Sequence, residues 1–324
     1  MSRLLWFGAG AAAGGYLLHR RQHNLAVCPQ PLTDASGREL SAIEVELAGG
    51  ERVDVVEAGV GRPILLIPGL SGDKEVFRHQ IGPFSQKYRV IAPDLRLRFD
   101  GVRPRFDQFA HDVATILEKF EEPSASVLGL SFGGPIAMRF AALYPEKLRA
   151  LILTNTLARL DLSHVGFNRT LLIPLAYFTS RFTPEPLMRR FADLWGRLGI
   201  WVYDASPGNE RVVDYQLDSA VRVSVTDGNG RMETFRGLDL RGDLSAIQTP
   251  ALVIGGVADL YTLPEWQREI AALLPNSAYV EIPGGGHLSL ISNAEIFNRV
   301  VLDWLAELPE ARPAAFPPRP AQSQ

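Results

Sequence analysis

The stretch Val127-Leu128-Gly129-Leu130-Ser131-Phe132-Gly133-Gly134-Pro135 constrains this chain more than any other. Ser126 to Leu130 reads as a buried strand, and Pro135 to Tyr144 reads as a helix. Only a few residues separate them, so the chain must turn very sharply at Ser131. A serine at such an apex is held in a strained backbone conformation and projects from the end of a sheet. Side chains at positions 129 and 133 would collide where strand and helix cross, which accounts for Gly129 and Gly133. Pro135 suits the first helical turn, where an N–H has no intrahelical partner to lose.

Gly-x-Ser-x-Gly between a strand and a helix is the pattern of a nucleophile elbow. The bland alternative is a glycine-rich turn with Ser131 as a helix cap, so the reading depends on the rest of the chain. With 324 residues there is room for one large α/β domain carrying an insertion. The formal net charge of -3 argues against a nucleic-acid binder, which would show a basic stripe. Cys28 is the single cysteine, so an internal disulfide and a thiolate metal site are excluded. The six histidines lack metal-ligand spacing, and neither a metal nor a cofactor is expected.

Leu4 to Leu18 is uncharged and rich in Ala and Gly, with Arg20 and Arg21 just beyond it. As a helix it would cover about 22 Å, against a hydrocarbon core of ~30 Å. Residues 1–28 are read as an N-terminal apolar segment that associates with a membrane. The arginines would keep the following domain cytoplasmic. The alternatives are a cleaved signal and a soluble cytoplasmic protein. Residues 29–41 read as a polar linker.

From there the pattern becomes regular. Ile43 to Leu47 and Arg52 to Val56 alternate apolar and polar residues around Gly49-Gly50, as in a hairpin. Pro63 to Ile67 is a strand covered on both faces. A helix over Asp73 to Gln86 and a strand over Tyr88 to Ala92 follow. Phe106 to Phe120 has helical spacing. Leu148 to Leu153 is the strand after the elbow helix. Residues 160–244 then interrupt the alternation, too long for a loop without structure of its own, and are read as a mainly helical cap. Strands over Ala251 to Ile254 and Ala278 to Ile282 enclose a helix from Pro264 to Leu274, and a last helix runs from Asn293 to Leu308. The expected architecture is α/β: residues 42–159 and 245–308 form a mostly parallel sheet flanked by helices. Residues 309–324, rich in proline, read as a disordered tail.

A serine hydroxyl needs a base, and the base needs an acid to fix its tautomer. Both should follow other parallel strands, at their carboxyl ends. Asp259 follows the strand ending at Ile254, and His287 follows the strand ending at Ile282. The order Ser131, Asp259, His287 is the order such an elbow predicts. Asp161, after the preceding strand, is the alternative acid. His79 and His111 lie in expected helices, and His164 lies in the cap. Two N–H donors are needed for a developing oxyanion. Phe132, after the serine, and Leu70, after Pro68-Gly69, are the candidates.

The motifs Leu-Ile-Pro-Gly-Leu, Ala-Pro-Asp-Leu-Arg, Gly-Leu-Ser-Phe-Gly-Gly, Asp259 before Leu-Tyr-Thr-Leu-Pro, and Gly-His-Leu-Ser-Leu together resemble the α/β-hydrolase fold superfamily. The resemblance covers about Ile43 to Leu308. It is to the branch with enol-lactone hydrolases, carboxylesterases and meta-cleavage-product hydrolases. It implies a Ser-His-Asp hydrolase that acts through an acyl-enzyme on a small-molecule ester or lactone with an apolar part. A carbon–carbon bond hydrolase with the same residues is one alternative, and a non-catalytic binding protein on the same fold is another. Two departures stand out. Family members usually have His-Gly where this chain has Pro68-Gly69. They also continue Asp-x-Arg as Gly-x-Gly-x-Ser, whereas Asp94-Leu95-Arg96 runs into Leu97-Arg98-Phe99-Asp100. Arg96, Arg98, Arg103 and Arg105 are accordingly read as a solvated basic loop, with an anion site as the alternative.

Overall fold

In the computed structural model, residues 31–97, 105–160, 211, 212, 215, 219, 231 and 233–309 are described. Eight strands form one sheet in the order β1-β2-β4-β3-β5-β6-β7-β8. β1 (Ile43–Glu46) and β2 (Arg52–Ala58) form the expected antiparallel hairpin, and β2 pairs antiparallel with β4 (Tyr88–Pro93). From β4 onward the sheet is parallel, through β3 (Arg62–Ile67), β5 (Ala125–Leu130), β6 (Leu148–Thr154), β7 (Ala251–Gly256) and β8 (Ser277–Ile282).

The strands are apolar runs because both faces are covered. In β3, Leu65 and Ile67 face one core and Ile64 and Leu66 the other. The first core is completed by α2 (Phe106–Lys119), α3 (Gly133–Leu143) and α4 (Pro264–Leu273), through Phe109, Ile136 and Ile270. The second is completed by α1 (Arg78–Ser85) and α5 (Ala294–Glu307), through Ile81, Phe84, Phe297 and Val301. The chain leaves β3 toward β4 on one side and returns to β5 on the other. Such a reversal opens a crevice at the carboxyl ends of the strands on either side. Here those ends carry Leu70 and Ser131.

Three expectations are corrected. The helix over Asp73 to Gln86 is a 3-10 turn at Lys74–Phe77 followed by α1. The change of pitch lets Lys74 fold onto Asp94, donating to it from both its backbone N (2.9 Å) and Nζ (2.8 Å). Residues 31–41, expected to be linker, are docked: Leu32 is buried, Thr33 bridges to Glu39, and Ala35 N donates to Ser85 Oγ. Arg96 is not solvated. It is buried, and its fork clasps Asp112 of α2 through Nε–Oδ2 (2.5 Å) and Nη2–Oδ1 (2.6 Å). Of the other arginines in that run, Arg105 is exposed at the start of α2, whereas Arg98 and Arg103 lie outside the described residues.

The apolar segment at residues 1–28, most of the expected cap at residues 160–244, and all of the tail but residue 309 also lie outside the described residues. The two stems of the insertion do meet. Arg159 bridges to Asp239, and Leu240 N donates to Ala158 O (2.8 Å), so residues 158–159 and 239–240 lie side by side.

The Arg96–Asp112 pair tests the correction. Removing one partner strands a buried charge. Arg96→Met is expected to cost about 3–5 kcal/mol, and Arg96→Met combined with Asp112→Leu to recover much of it. Urea denaturation of both variants measures this. A single variant as stable as the parent would mean that the pair is solvated after all.

Candidate active site

Ser131 stands between β5 and α3 with φ +52. That left-handed conformation is costly for a non-glycine residue and persists only where the surroundings impose it. Here close packing imposes it. A Cβ on Gly129 would lie 2.4 Å from Gly133 O, and one on Gly133 would lie 2.4 Å from Ile67 O. No side chain fits at either place, so the helix crosses almost in contact with the strand ends. Thr156 Oγ1 donates to Ser131 O (2.6 Å), and Ser131 N donates to Thr154 O (3.0 Å). The serine is therefore fixed from both sides.

Its hydroxyl reaches His287. Ser131 Oγ and His287 Nε2 are 2.9 Å apart, and His287 Nδ1 lies 3.0 Å from Asp259 Oδ2 and 3.2 Å from Oδ1. The structure thus brings together the three residues that the sequence singled out on the ends of β5, β7 and β8. Tyr261 lies beside the imidazole, with ring centroids 5.3 Å apart. Among the other candidates, His79 lies in α1, and His111 lies in α2 beside Tyr144. Asp161 and His164 lie outside the described residues.

Asp259 is buried, and it accepts hydrogen bonds from Tyr261 N (2.8 Å), Thr262 N (3.0 Å), Thr262 Oγ1 (2.6 Å) and Asn155 Nδ2 (2.9 Å). Burial alone would push its pKa up. The His287 charge and the hydrogen bonds from His287, Thr262 and Asn155 outweigh that, and the pKa is held below the ordinary aspartate value. A carboxyl lowered on folding contributes stability above its unfolded pKa and loses it as pH falls through the folded value.

Leu70 and Phe132 flank the serine. A Cβ on Gly69 would stand at an ordinary contact distance of 3.6 Å from Ser131 Cβ, so the Pro68-Gly69-Leu70 turn lies beside the serine. Phe132 is the N-cap residue just before α3, at a helix N-terminus, where backbone N–H groups lack intrahelical acceptors. Its ring is wedged among Phe106, Phe109 and Phe235, with centroids 5.1, 5.3 and 5.4 Å away.

Sequence reasoning missed Asn155. It is fully buried, has φ +46, and directly follows β6. Its amide donates to Asp259 and to Gly286 O (2.9 Å), while its Oδ1 accepts from Thr154 Oγ1 and Ser289 Oγ (both 2.9 Å). It therefore ties the Asp259 loop to the residue before His287. Gln267 braces the same loops from behind, donating to Thr262 O (2.6 Å) and accepting from Thr156 N (2.8 Å). The sequence carried a signal for Asn155: the polar run Thr154-Asn155-Thr156 ends an apolar strand, at the carboxyl end where such sites form.

The fold and this arrangement define a class. A family model described as alpha/beta hydrolase fold matches residues 62–294, and the chain belongs to that family. It is 30% identical over 292 residues to the polyketide synthase ThaQ of Burkholderia thailandensis, a match covering 84% of this chain but only 13% of that protein. It is 27% identical over 287 residues to 2-hydroxymuconate semialdehyde hydrolase of Pseudomonas putida, covering 84% of this chain and 94% of the relative. Among solved structures it is similar to the enol-lactonase of Burkholderia xenovorans LB400, with a TM-score of 0.66 and 25% identity over 82% of this chain and 100% of that one.

The Asn155 network yields a stability test. Asn155→Ala removes two buried donors and puts alanine in a left-handed conformation. It is expected to cost about 1–3 kcal/mol for the unsatisfied groups alone. Asn155→Gly tolerates the conformation but also lacks the amide, and should remain destabilised in urea unfolding. If the glycine variant matches the parent, the hydrogen-bond network contributes little.

Proposed function

We propose that this protein is a serine hydrolase that cleaves a carboxylic ester or lactone. The observation that carries the reading is the continuous hydrogen-bonded path from Ser131 Oγ through His287 to the buried Asp259. His287 Nε2 takes the Ser131 proton as Oγ attacks the carbonyl carbon. The carbonyl oxygen becomes an oxyanion and accepts the N–H groups of Leu70 and Phe132. The carbon–oxygen bond to the alcohol then breaks, and His287 returns its proton to the leaving oxygen. Water attacks the acyl-enzyme, His287 takes one proton from it, and the acid departs as Ser131 recovers its hydrogen. Asp259 accepts the Nδ1–H throughout, which keeps Nε2 facing the serine.

The likeness to an enol-lactonase supports an ester or lactone. The likeness to a semialdehyde hydrolase supports a second reading, hydrolysis of a carbon–carbon bond by the same residues. A purely binding role has less support, because it requires neither a strained serine nor a carboxylate fixed behind the histidine. The substrate is read as a small molecule with an apolar part, enclosed by a cap over residues 160–244.

A separate proposal concerns location. Among the described residues no helix is long and apolar enough to cross a membrane. The run Leu4 to Leu18 lies outside them. Its lack of charge and the arginines after it support a membrane-associated enzyme with a cytoplasmic catalytic domain.

A fluorophosphonate probe, followed by peptide mass spectrometry, is expected to mark Ser131. An adduct elsewhere, or none on folded protein, would sink the mechanism. Asp259→Asn should lower kcat by about 10⁴ if the wrong imidazole tautomer results, and a nearly silent change would move the acid role elsewhere. A panel of esters, lactones and vinylogous 1,5-diketones separates the two bond types. For location, the full chain should sediment with membranes and a chain beginning near Pro29 should not. Equal recovery of both in the soluble fraction refutes the anchor.

A further inference from the structure

Arg231 is among the largest fully buried side chains of the protein, at 1% exposure. It belongs to the insertion, yet its guanidinium lies in the core domain. Nη1 donates to Leu70 O (3.0 Å) and Ser71 O (2.7 Å). Nη2 donates to Leu95 O (3.2 Å) and Arg96 O (3.3 Å), and Nε donates to Arg96 O (3.4 Å). One planar fork thus joins the turn after β3 to the segment after β4. The turn is shaped to receive it. Gly72 has φ +75, and a Cβ there would fall 2.4 Å from Arg231 Cζ. Any side chain at position 72 would occupy the space the guanidinium takes.

Two more residues of the insertion act on the same turn. Tyr215 shares a hydrogen bond with Ser71 Oγ (2.9 Å), and Ser219 Oγ donates to the buried carboxylate of Asp73 (2.8 Å). Residues 70 to 73 are therefore held on one side by groups from beyond the sheet. Within the core domain, Gly72 N donates to Gly69 O (2.9 Å) and Leu95 N donates to Gly72 O (2.8 Å), and the arginine fork adds the bonds to Leu70 O and Ser71 O. Pro68 has no N–H and no side-chain donor, whereas the resemblance places a histidine there.

We infer that Arg231 is a positioning residue for the oxyanion site, fixing the Leu70 backbone against Ser131 from the inserted segment. The inference rests on the serine-hydrolase reading and deepens it. The Leu70 carbonyl and the Leu70 N–H flank one α-carbon. Pinning the carbonyl restricts ψ at Leu70, while the bond from Gly72 N to Gly69 O (2.9 Å) restricts the peptide that carries the N–H. A donor helps catalysis only if it already points at the place where charge develops. The arginine fork supplies that orientation with several bonds at once, which a lysine cannot match. Arg231 touches no reacting atom; its effect is on the transition state through Leu70.

The test compares Arg231→Lys, Arg231→Met and the milder Tyr215→Phe with the parent, after circular dichroism of each. The readouts are kcat and KM on a chromogenic ester, and the affinity of a boronic acid as a tetrahedral mimic. The arginine variants are expected to lose about 10²-fold in kcat, the scale of one oxyanion donor, with KM changed less than about threefold. Boronate affinity should fall in step with kcat. Tyr215→Phe should show the same pattern, smaller. If KM rises while kcat holds, Arg231 binds substrate and the inference is wrong. If kcat falls while boronate affinity is unchanged, the effect does not run through the oxyanion site and the inference is also wrong. Should the arginine variants fail to fold, Tyr215→Phe decides by the same two criteria. Failure of the parent to react with a fluorophosphonate at Ser131 would instead strike the serine-hydrolase reading itself.

Discussion

The approach of α3 to the ends of β3 and β5 is the constraint on which the site depends. It is set by the absence of two Cβ atoms. With glycine at 129 and 133, backbone meets backbone at distances no side chain permits. The strained serine is the consequence. Its φ of +52 costs free energy that the strand, helix and Thr156 together offset, and in return the hydroxyl is lifted clear of the sheet. A local cost maintained by surrounding packing is the usual economy of a functional site.

Behind the serine the problem is electrostatic. A carboxylate as buried as Asp259 would take up a proton if left without partners. Two backbone N–H groups, Thr262 Oγ1, Asn155 and His287 converge on it instead and keep it charged. These donors come from the loop after β7, from the end of β6 and from the loop after β8, and Asn155 reaches on to Gly286. The imidazole is thereby oriented before any substrate arrives. The same strategy recurs at Arg231, where a buried cation fixes backbone on the other side of the serine.

Much of this was legible in the sequence, for reasons that differ by element. Ser131, Asp259 and His287 could be read because each follows an apolar strand and sits in a glycine-rich turn, where local chemistry announces itself. The strands and the long helices α2 and α5 were clear from periodicity. The break before α1 was not, since apolar spacing alone does not distinguish a 3-10 turn from the first turn of a helix. Arg96 looked like a member of a solvated run because its partner, Asp112, lies on a helix whose face cannot be aligned with the loop from sequence. Asn155 and Arg231 escaped notice for a related reason. Their roles are defined by backbone carbonyls and a carboxylate distant in the chain, and only the folded arrangement brings those together.

The account stands on Ser131 as the group that carries the acyl chain during turnover. Rapid-quench measurement with a chromogenic ester addresses this directly, by following the released alcohol and the intact mass of the protein on the same samples. The prediction is a burst of alcohol stoichiometric with the chain, matched by an acyl mass increment on the peptide containing Ser131, and loss of both in Ser131→Ala. A burst that survives in Ser131→Ala, or an acyl group located on another residue, would contradict it.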